Sequence, residues 1–336
     1  MEFSPAQRAL LDRFQRDFPT SATPYADVAR TLGLCESDVL AALQALVDVG
    51  IVARVGPIFR AGSVGASTLA AMAVPLPRLA DVASIVGAHA GVNHNYAREH
   101  RFNLWFVAHA RDADALASLL QEIETQTRLP AISLPLVREY HIDLGFPLDA
   151  PRRASCSRSQ ASVPATAQRV EEGEPRRVAC ALEPGLPLVS RPYAEIARRA
   201  GLHDADGEAR VRRHVRGWLA AGVIKRIGVV VRHRPLGFAA NLMGVWEVPE
   251  HDVDRVGERL ATEPAVTLCY RRAPDPPRWR YNLFCMLHGR SRDSVGTDVD
   301  ALVARHGLAG YPHARLWSII AYKQTGARHD DAVVHG

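Results

Sequence analysis

The chain of 336 residues has no apolar run approaching the ~20 residues that a membrane-spanning helix needs, so no membrane association is expected. It is also poor in cysteine: Cys35, Cys156, Cys180, Cys269 and Cys285 make an odd number, and no two stand in a C-x-x-C spacing. That excludes a disulfide framework and a zinc or iron–sulfur site built on close cysteine pairs. The first residues, MEFSPAQRALLDRFQRDF, alternate charge and apolarity like an amphipathic helix and lack the apolar centre of a signal peptide. A reducing cytoplasm is the compartment that these absences fit. Charge of one sign is scarce too. The formal net charge is only +5, which is compatible with acidic ligands or nucleic acid and requires neither. Hydrophobic residues, at 47%, are plentiful enough for globular domains with proper cores.

What is present is a repeat. PYADVAR at Pro24–Arg30 returns as PYAEIAR at Pro192–Arg198, and VGPIFR at Val55–Arg60 returns as IGVVVR at Ile227–Arg232. Tyr96-Ala97-Arg98 returns as Tyr270-Arg271-Arg272, and Asn103-Leu104-Trp105-Phe106 as Asn282-Leu283-Phe284-Cys285. Four matches in the same order make the chain two related copies in one polypeptide. Between them, residues 147–180 are rich in Pro, Ser, Ala and Arg with few large apolar side chains, which predicts a flexible linker.

Each copy divides again. In the first, helices are predicted at Ser4–Phe18, Tyr25–Leu32 and Ser37–Val49, the last two stopped by Gly33 and Gly50. A β-hairpin wing at Ile51–Arg60 follows. This is the winged helix-turn-helix pattern, and the second copy repeats it at Tyr193–Ala200, Glu208–Ala221 and Val223–Arg232, its first helix being the least distinct. Beyond each wing the order strand, helix, strand, strand, helix, strand is predicted. In the first copy these lie at Thr68–Val74, Arg78–Ala88, Val92–Arg98, Asn103–His109, Ala113–Thr127 and Ile132–Ile142. In the second they lie at Leu242–Val248, Val253–Thr262, Val266–Arg272, Tyr281–Leu287, Ser294–His306 and Arg315–Tyr322. The expected class is α+β: two tandem copies of a winged helix-turn-helix (1–60 and 181–233) followed by a ferredoxin-like βαββαβ domain (61–146 and 234–326), with a short tail at 327–336. Helices cover one face of such a sheet. The other needs a partner, and either the second copy or a second chain would serve.

The segment GVNHNYAREHRFNLWFVAHA carries His94, Tyr96, Arg98 and His100 at every second position. In an extended strand those four side chains share one face, where a buried sheet would ordinarily present Val, Ile or Leu. Basic and phenolic groups there suit an acidic ligand.

Winged helices suggest DNA, but the helix that would enter the groove in the first copy, CESDVLAALQALVDVG, bears Glu36, Asp38 and Asp48 and no Lys or Arg. Phosphate would repel it. In the second copy Arg210, Arg212, Arg213 and Arg216 lie on that helix behind Asp204, Asp206 and Glu208. Such an arginine run is more often a solvated face. A DNA-binding regulator is therefore the weaker alternative, beside a small-molecule carrier or sensor without turnover.

A winged helix followed by a ferredoxin-like domain resembles the Lrp/AsnC regulators. A narrower resemblance rests on strings of residues. HNYAREHRFNLWF and REYHIDLGF resemble one subunit type of the siroheme decarboxylases. GLPLVSRPYAEIA, TLCYRRAP, WRYNLFCMLHGR and AYKQTGAR resemble the other, as in the fused D–L type that serves d1-type heme formation. The resemblance implies loss of carbon dioxide from the C12 and C18 acetates of siroheme to give 12,18-didecarboxysiroheme. It implies no cofactor beyond the iron that the substrate carries, and it allows further decarboxylase subunits as partners.

Losing carbon dioxide from a ring acetate needs an electron sink, a proton, and cations that hold the right carboxylate. Arginine grips carboxylates with its planar fork, while His and Tyr transfer protons and His can ligate iron. The expected catalytic residues are therefore His94, Tyr96, Arg98 and His100, with His94 or His100 as axial ligand to the substrate iron. Asn103, Tyr270, Arg271, Arg272, Asn282 and His288 are expected to contact substrate. Position 94 aligns with Leu268, so the copies are not equivalent, and one pocket or two unequal ones are expected.

Overall fold

Ser4 starts the first helix as its sequence directs. Its hydroxyl accepts from the Gln7 N–H while the Gln7 side chain reaches back to the Ser4 N–H, which satisfies two otherwise orphan donors. From there the computed structural model describes residues 3–142, 169–232 and 235–326. In chain order the first copy contains α1 (Pro5–Arg13), α2 (Pro24–Leu32), α3 (Glu36–Asp48), β1 (Val52–Phe59), β2 (Ala66–Met72), α4 (Leu79–Ala88), β3 (Val92–Arg98), β4 (Leu104–Ala110), α5 (Ala113–Thr127) and β5 (Ala131–Ile142). The second contains α6 (Glu174–Leu182), α7 (Pro192–Arg199), α8 (Gly207–Ala220), β6 (Ile224–Val231), β7 (Ala240–Trp246), α9 (Val253–Leu260), β8 (Val266–Arg272), β9 (Leu283–Gly289), α10 (Arg292–His306) and β10 (His313–Gln324).

The chain forms two compact units, and each draws on both copies. The first takes residues up to Val64 and those from 169 to Leu236. It corrects two expectations. The predicted hairpin at Ile51–Arg60 is a single strand, β1, whose antiparallel partner is β6 of the other copy, with Gly56 opposite Gly228. Both strands are crossed closely by backbone. A Cβ on Gly228 would stand 2.4 Å from the Gln15 carbonyl oxygen, and one on Gly56 2.9 Å from the Gly185 Cα. Phe14 and Leu186 lie over these glycines: the Phe14 carbonyl accepts the Val229 N–H, and the Leu186 N–H donates to the Val55 carbonyl. The second correction is α6, which begins inside the segment expected to be linker. Val178, Ala179 and Leu182 give it a buried apolar stripe that its many charges obscure. Residues 147–168 of that expected linker, and the expected tail at 327–336, lie outside the described residues. In this unit Arg210 of α8 pairs with Asp204 and Glu174, and Arg212 donates to the Thr20 carbonyl, so part of the arginine run is engaged within the chain.

The second unit holds both βαββαβ segments. Within the first copy the strand order is β5-β2-β4-β3, and within the second it is β10-β7-β9-β8, the ferredoxin-like arrangement twice. β3 pairs with β10 and β5 with β8, so the sheets join at both edges and close an eight-stranded barrel. Closure removes every sheet edge. It also gives each sheet one face toward helices and one toward a shared interior. Ala70, Leu104 and Phe106 pack on α4 and α5 outside, as Leu242, Cys285 and Leu287 do on α9 and α10. Leu69, Trp105, Leu134, Met243, Phe284, Met286 and Leu316 fill the interior from both copies. Trp279, from the loop before β9, packs edge-on against Trp105, with ring centroids 5.0 Å apart, and against Phe102 and Tyr281.

Candidate active site

Alternation along β3 settles where its polar residues go. Asn95 and Ala97 face outward, the Asn95 amide donating to the Ala83 carbonyl of α4 at 2.8 Å. His94 and Tyr96 stand opposite Val107 and Trp105 of β4, which belong to the interior cluster. His94 and Tyr96 lie ring to ring at 6.2 Å. Arg98, the last residue of β3, is 5% exposed and its guanidinium lies 5.6 Å from the Tyr96 ring. A cation so deeply enclosed needs partners. Its Nη1 donates to the Leu316 carbonyl and to the Asn241 Oδ1, each at 3.1 Å.

His100 does not continue the row. β3 ends at Arg98 and the chain turns to reach β4, so His100 sits in that turn rather than two residues further along a strand. Its Nδ1 accepts the Phe102 N–H at 3.1 Å, and its ring meets Trp279 edge-on with centroids 5.4 Å apart. Burial holds its imidazole below the usual histidine range. His94 thus lies within β3 and His100 in the turn beyond its end, with Tyr96 and Arg98 between them in sequence.

The second copy supplies a matching couple. Arg272 is the last residue of β8 as Arg98 is of β3, and it donates to the Leu134 carbonyl at 2.8 Å with its guanidinium 4.8 Å from the Tyr270 ring. Tyr270 faces the interior. Burial pushes its phenol up, and the nearby charges of Arg272 and Arg98 pull it partly back. Burial likewise lowers the Arg272 guanidinium. The interior therefore contains two Arg–Tyr couples, one from each copy.

His288, near the end of β9, joins the Arg98 side. Its Nε2 is 2.6 Å from the Asn241 Nδ2 and its Nδ1 is 2.8 Å from the Thr267 Oγ1. The sequence did not single out Asn241 or Thr267. The available signal for Asn241 was a lone polar residue at the second position of an otherwise apolar strand, ANLMGVW; Thr267 stands at the second position of VTLCYRR, where the two arginines draw attention away from it.

Three residues expected to contact substrate have their side chains engaged by other parts of the chain. Arg271 lies one residue from Arg272 and so points to the outer face, where it pairs with Glu250 and Asp254. Asn103 donates to the Val74 carbonyl at 2.8 Å and accepts the Val74 N–H at 2.9 Å. Asn282 does the same to Val248 at the same two distances. Both amides are spent on tying neighbouring strands together, which suits a strand-end clamp rather than a substrate ligand. Among the described residues no group of three or more His, Cys, Asp or Glu side chains is placed to hold a metal ion.

Comparison with known proteins bears on this architecture. A family described as the AsnC-like ligand binding domain matches residues 63–141 and 235–323, and one described as the siroheme decarboxylase NirDL-like HTH domain matches residues 7–52. The siroheme decarboxylase NirDL subunit of Paracoccus pantotrophus is 44% identical over 95% of both chains. The siroheme decarboxylase of Hydrogenobacter thermophilus is 30% identical, the match covering 95% of this chain and 93% of that one. A crystal structure of siroheme decarboxylase NirDL in co-complex with an iron-uroporphyrin III analogue superposes with a TM-score of 0.66 at 27% identity, covering 96% of this chain and 92% of that one.

Proposed function

The chain belongs to the siroheme decarboxylase NirDL family, and from that premise we propose that it is a carboxy-lyase acting on siroheme in the formation of d1-type heme. It converts the C12 and C18 acetates to methyl groups and yields 12,18-didecarboxysiroheme. At each position the bond from the methylene to the carboxylate carbon breaks, carbon dioxide leaves, and one proton enters at the methylene carbon. The observation that carries this reading is the burial of Arg98 against Tyr96 inside the closed barrel. An arginine enclosed beside the Tyr96 ring, the Leu316 carbonyl and the Asn241 amide would be a poor core residue; as an anchor for a ring carboxylate it has a purpose.

In this reading Arg98 grips a peripheral carboxylate. Tyr96 and His94, in line with it on β3, are the groups that deliver the proton. Arg272 and Tyr270 hold a second part of the macrocycle rim. His100 keeps Nε2 as its outward ring nitrogen, because Nδ1 is engaged by Phe102, so His94 and His100 both remain candidates for the substrate iron. The iron arrives within the substrate, and no further cofactor is invoked. In this reading one chain serves as its own pseudo-dimer, which the barrel of four strands from each copy supports, and a homodimer is the alternative. Further decarboxylase subunits are possible partners. The chain works in the cytoplasm, and no helix among the described residues is long and apolar enough to cross a membrane.

Anaerobic incubation with siroheme followed by mass analysis of the pigment tests the reading. The expected product has lost two carboxyl groups. A visible spectrum that shifts on binding while siroheme returns unchanged would make the chain a carrier and overturn the enzymatic assignment.

A further inference from the structure

The two arginines occupy equivalent places, but their surroundings have diverged. Arg98 and Arg272 each end their strand, and each donates its backbone N–H to the clamp asparagine, Asn103 or Asn282. Opposite Arg98 across the barrel seam is Ser318, and opposite Arg272 is Leu136, each the sixth residue of its strand. One strand further on, the second residue of β7 is Asn241, paired with His288, whereas the second residue of β2 is Ser67, paired with His109. On one side the row is Arg98, Ser318, Asn241, His288. On the other it is Arg272, Leu136, Ser67, His109. The first row is hydrophilic throughout, and a leucine interrupts the second.

The donors and acceptors of the first row admit one arrangement. A guanidinium only donates, so the Asn241 oxygen faces Arg98 and its amide nitrogen faces His288. That nitrogen also only donates, so the His288 Nε2 must accept and carry no proton. The Thr267 hydroxyl donates to the Met286 carbonyl at 2.7 Å, so its oxygen accepts from the His288 Nδ1–H. His288 is thereby fixed as the neutral tautomer protonated on Nδ1. Serine at the equivalent place offers a single oxygen on a shorter arm and cannot reach an arginine and a histidine in opposite directions at once. Among the described residues the buried Nε of Arg272 has no hydrogen-bond partner.

We propose that Asn241 is a positioning residue that aims Arg98 at the substrate carboxylate through the chain Arg98–Asn241–His288–Thr267, and that it makes the Arg98 side of the barrel the reacting side. The proposal rests on the siroheme reading above and adds which side reacts and what orients it. The Asn241 amide denies Arg98 the freedom to turn toward its Leu316 carbonyl partner alone, and so holds the guanidinium in one orientation for an acidic tetrapyrrole rim.

The test uses the full chain, anaerobic siroheme, spectral titration for affinity, and turnover for kcat and KM, with Asn241→Ser, Arg98→Ala and the double variant. Asn241→Ser copies the residue that the other row carries. It is expected to weaken siroheme binding about ten-fold, the equivalent of one hydrogen bond to a charged group. The double variant is expected to bind no more weakly than Arg98→Ala alone, because a residue that acts through Arg98 has nothing left to orient. Thr267→Val cuts the chain at its far end without touching Arg98, and a loss of about two-fold in the same direction is expected. Unchanged binding in Asn241→Ser, or losses that add in the double variant, would overturn the proposal while leaving the enzyme reading in place. Arg98→Ala with wild-type affinity and turnover would overturn the site itself, and the proposal with it.

Discussion

The Arg98 row and the Arg272 row began as one design, and each pair of equivalent positions shows whether it was kept or changed. Tyr96 and Tyr270 agree, as do Asn103 and Asn282, which make the same two bonds to Val74 and Val248. His94 has become Leu268, Ser318 stands where Leu136 does, and Asn241 where Ser67 does. A residue that both halves keep with identical bonds serves what both halves must do, which is to close the barrel. A residue that only one half keeps serves what only one side does. At these three pairs the Arg98 side carries histidine and serine where the other side carries leucine, and the two-ended amide of asparagine where the other side carries serine.

The largest effect should separate the two arginines. Arg98→Ala removes an anchor held by Asn241 and Leu316, and kcat/KM for siroheme is expected to fall at least about a hundred-fold, roughly 2.7 kcal/mol of transition-state stabilisation. Arg272→Ala removes a cation that donates to the Leu134 carbonyl and lacks an amide such as Asn241 to orient it among the described residues, and a smaller loss of about ten-fold is expected, carried by KM. Steady-state kinetics on the two variants decides it. Equal losses would mean that the rows work as equals and that the differences between them are incidental.

Much of this was legible in the sequence because period and repetition survive without coordinates. The βαββαβ order, the duplication and the inward row of His94, Tyr96 and Arg98 follow from alternation alone. His100 was misplaced because alternation assumes that the strand continues, and β3 stops two residues earlier. Arg271 was counted with Arg272 because a repeat finds positions, whereas the face depends on parity within the strand. The wing was read as a hairpin because a strand's partner is non-local: β6, which pairs β1, lies in the other copy. The lone polar Asn241 in ANLMGVW carried little weight for the same reason, since its importance arises only when the barrel closes and brings β7 within reach of β3.

Where the halves agree, substitutions should cost the same on both sides. Asn103→Ala and Asn282→Ala each strip a buried backbone N–H and carbonyl of their partner, for roughly 1–3 kcal/mol of stability. Denaturant melts are expected to give two values within about 0.5 kcal/mol of one another, the usual scatter for independent sites. A large gap between them would break the claim that this pair is purely structural.

His100 has no counterpart row to lean on and offers a pH test. Its folded imidazole is held below the usual value, chiefly because enclosure beside Trp279 and Phe102 penalises the charged form. As pH falls past about 6.5 the unfolded chain takes up a proton there before the folded chain does. Its share of stability is therefore fully present above that value and is lost as acid is added. The ring resonances of His100 are expected to titrate below 6.5 in the folded protein, and His100→Gln should flatten the acid limb of the stability curve. A midpoint at or above 6.5 would place the ring in water rather than against Trp279.

The smallest effect is expected from the neighbour of the most instructive residue in the second copy. Arg271 and Arg272 are adjacent, carry the same charge and lie on the same strand, so chemistry alone does not distinguish them. Parity does. Arg271 faces outward and pairs with Glu250 and Asp254, whose side chains are 77% and 44% exposed. Pairs so open to water contribute at most about 1 kcal/mol, and salt weakens them further. Arg271→Ala is therefore expected to leave siroheme affinity and turnover unchanged and to lower stability by less than about 1 kcal/mol, a difference that shrinks as ionic strength rises. If Arg271→Ala instead impaired siroheme binding as much as Arg272→Ala, the substrate would be meeting the outside of the barrel.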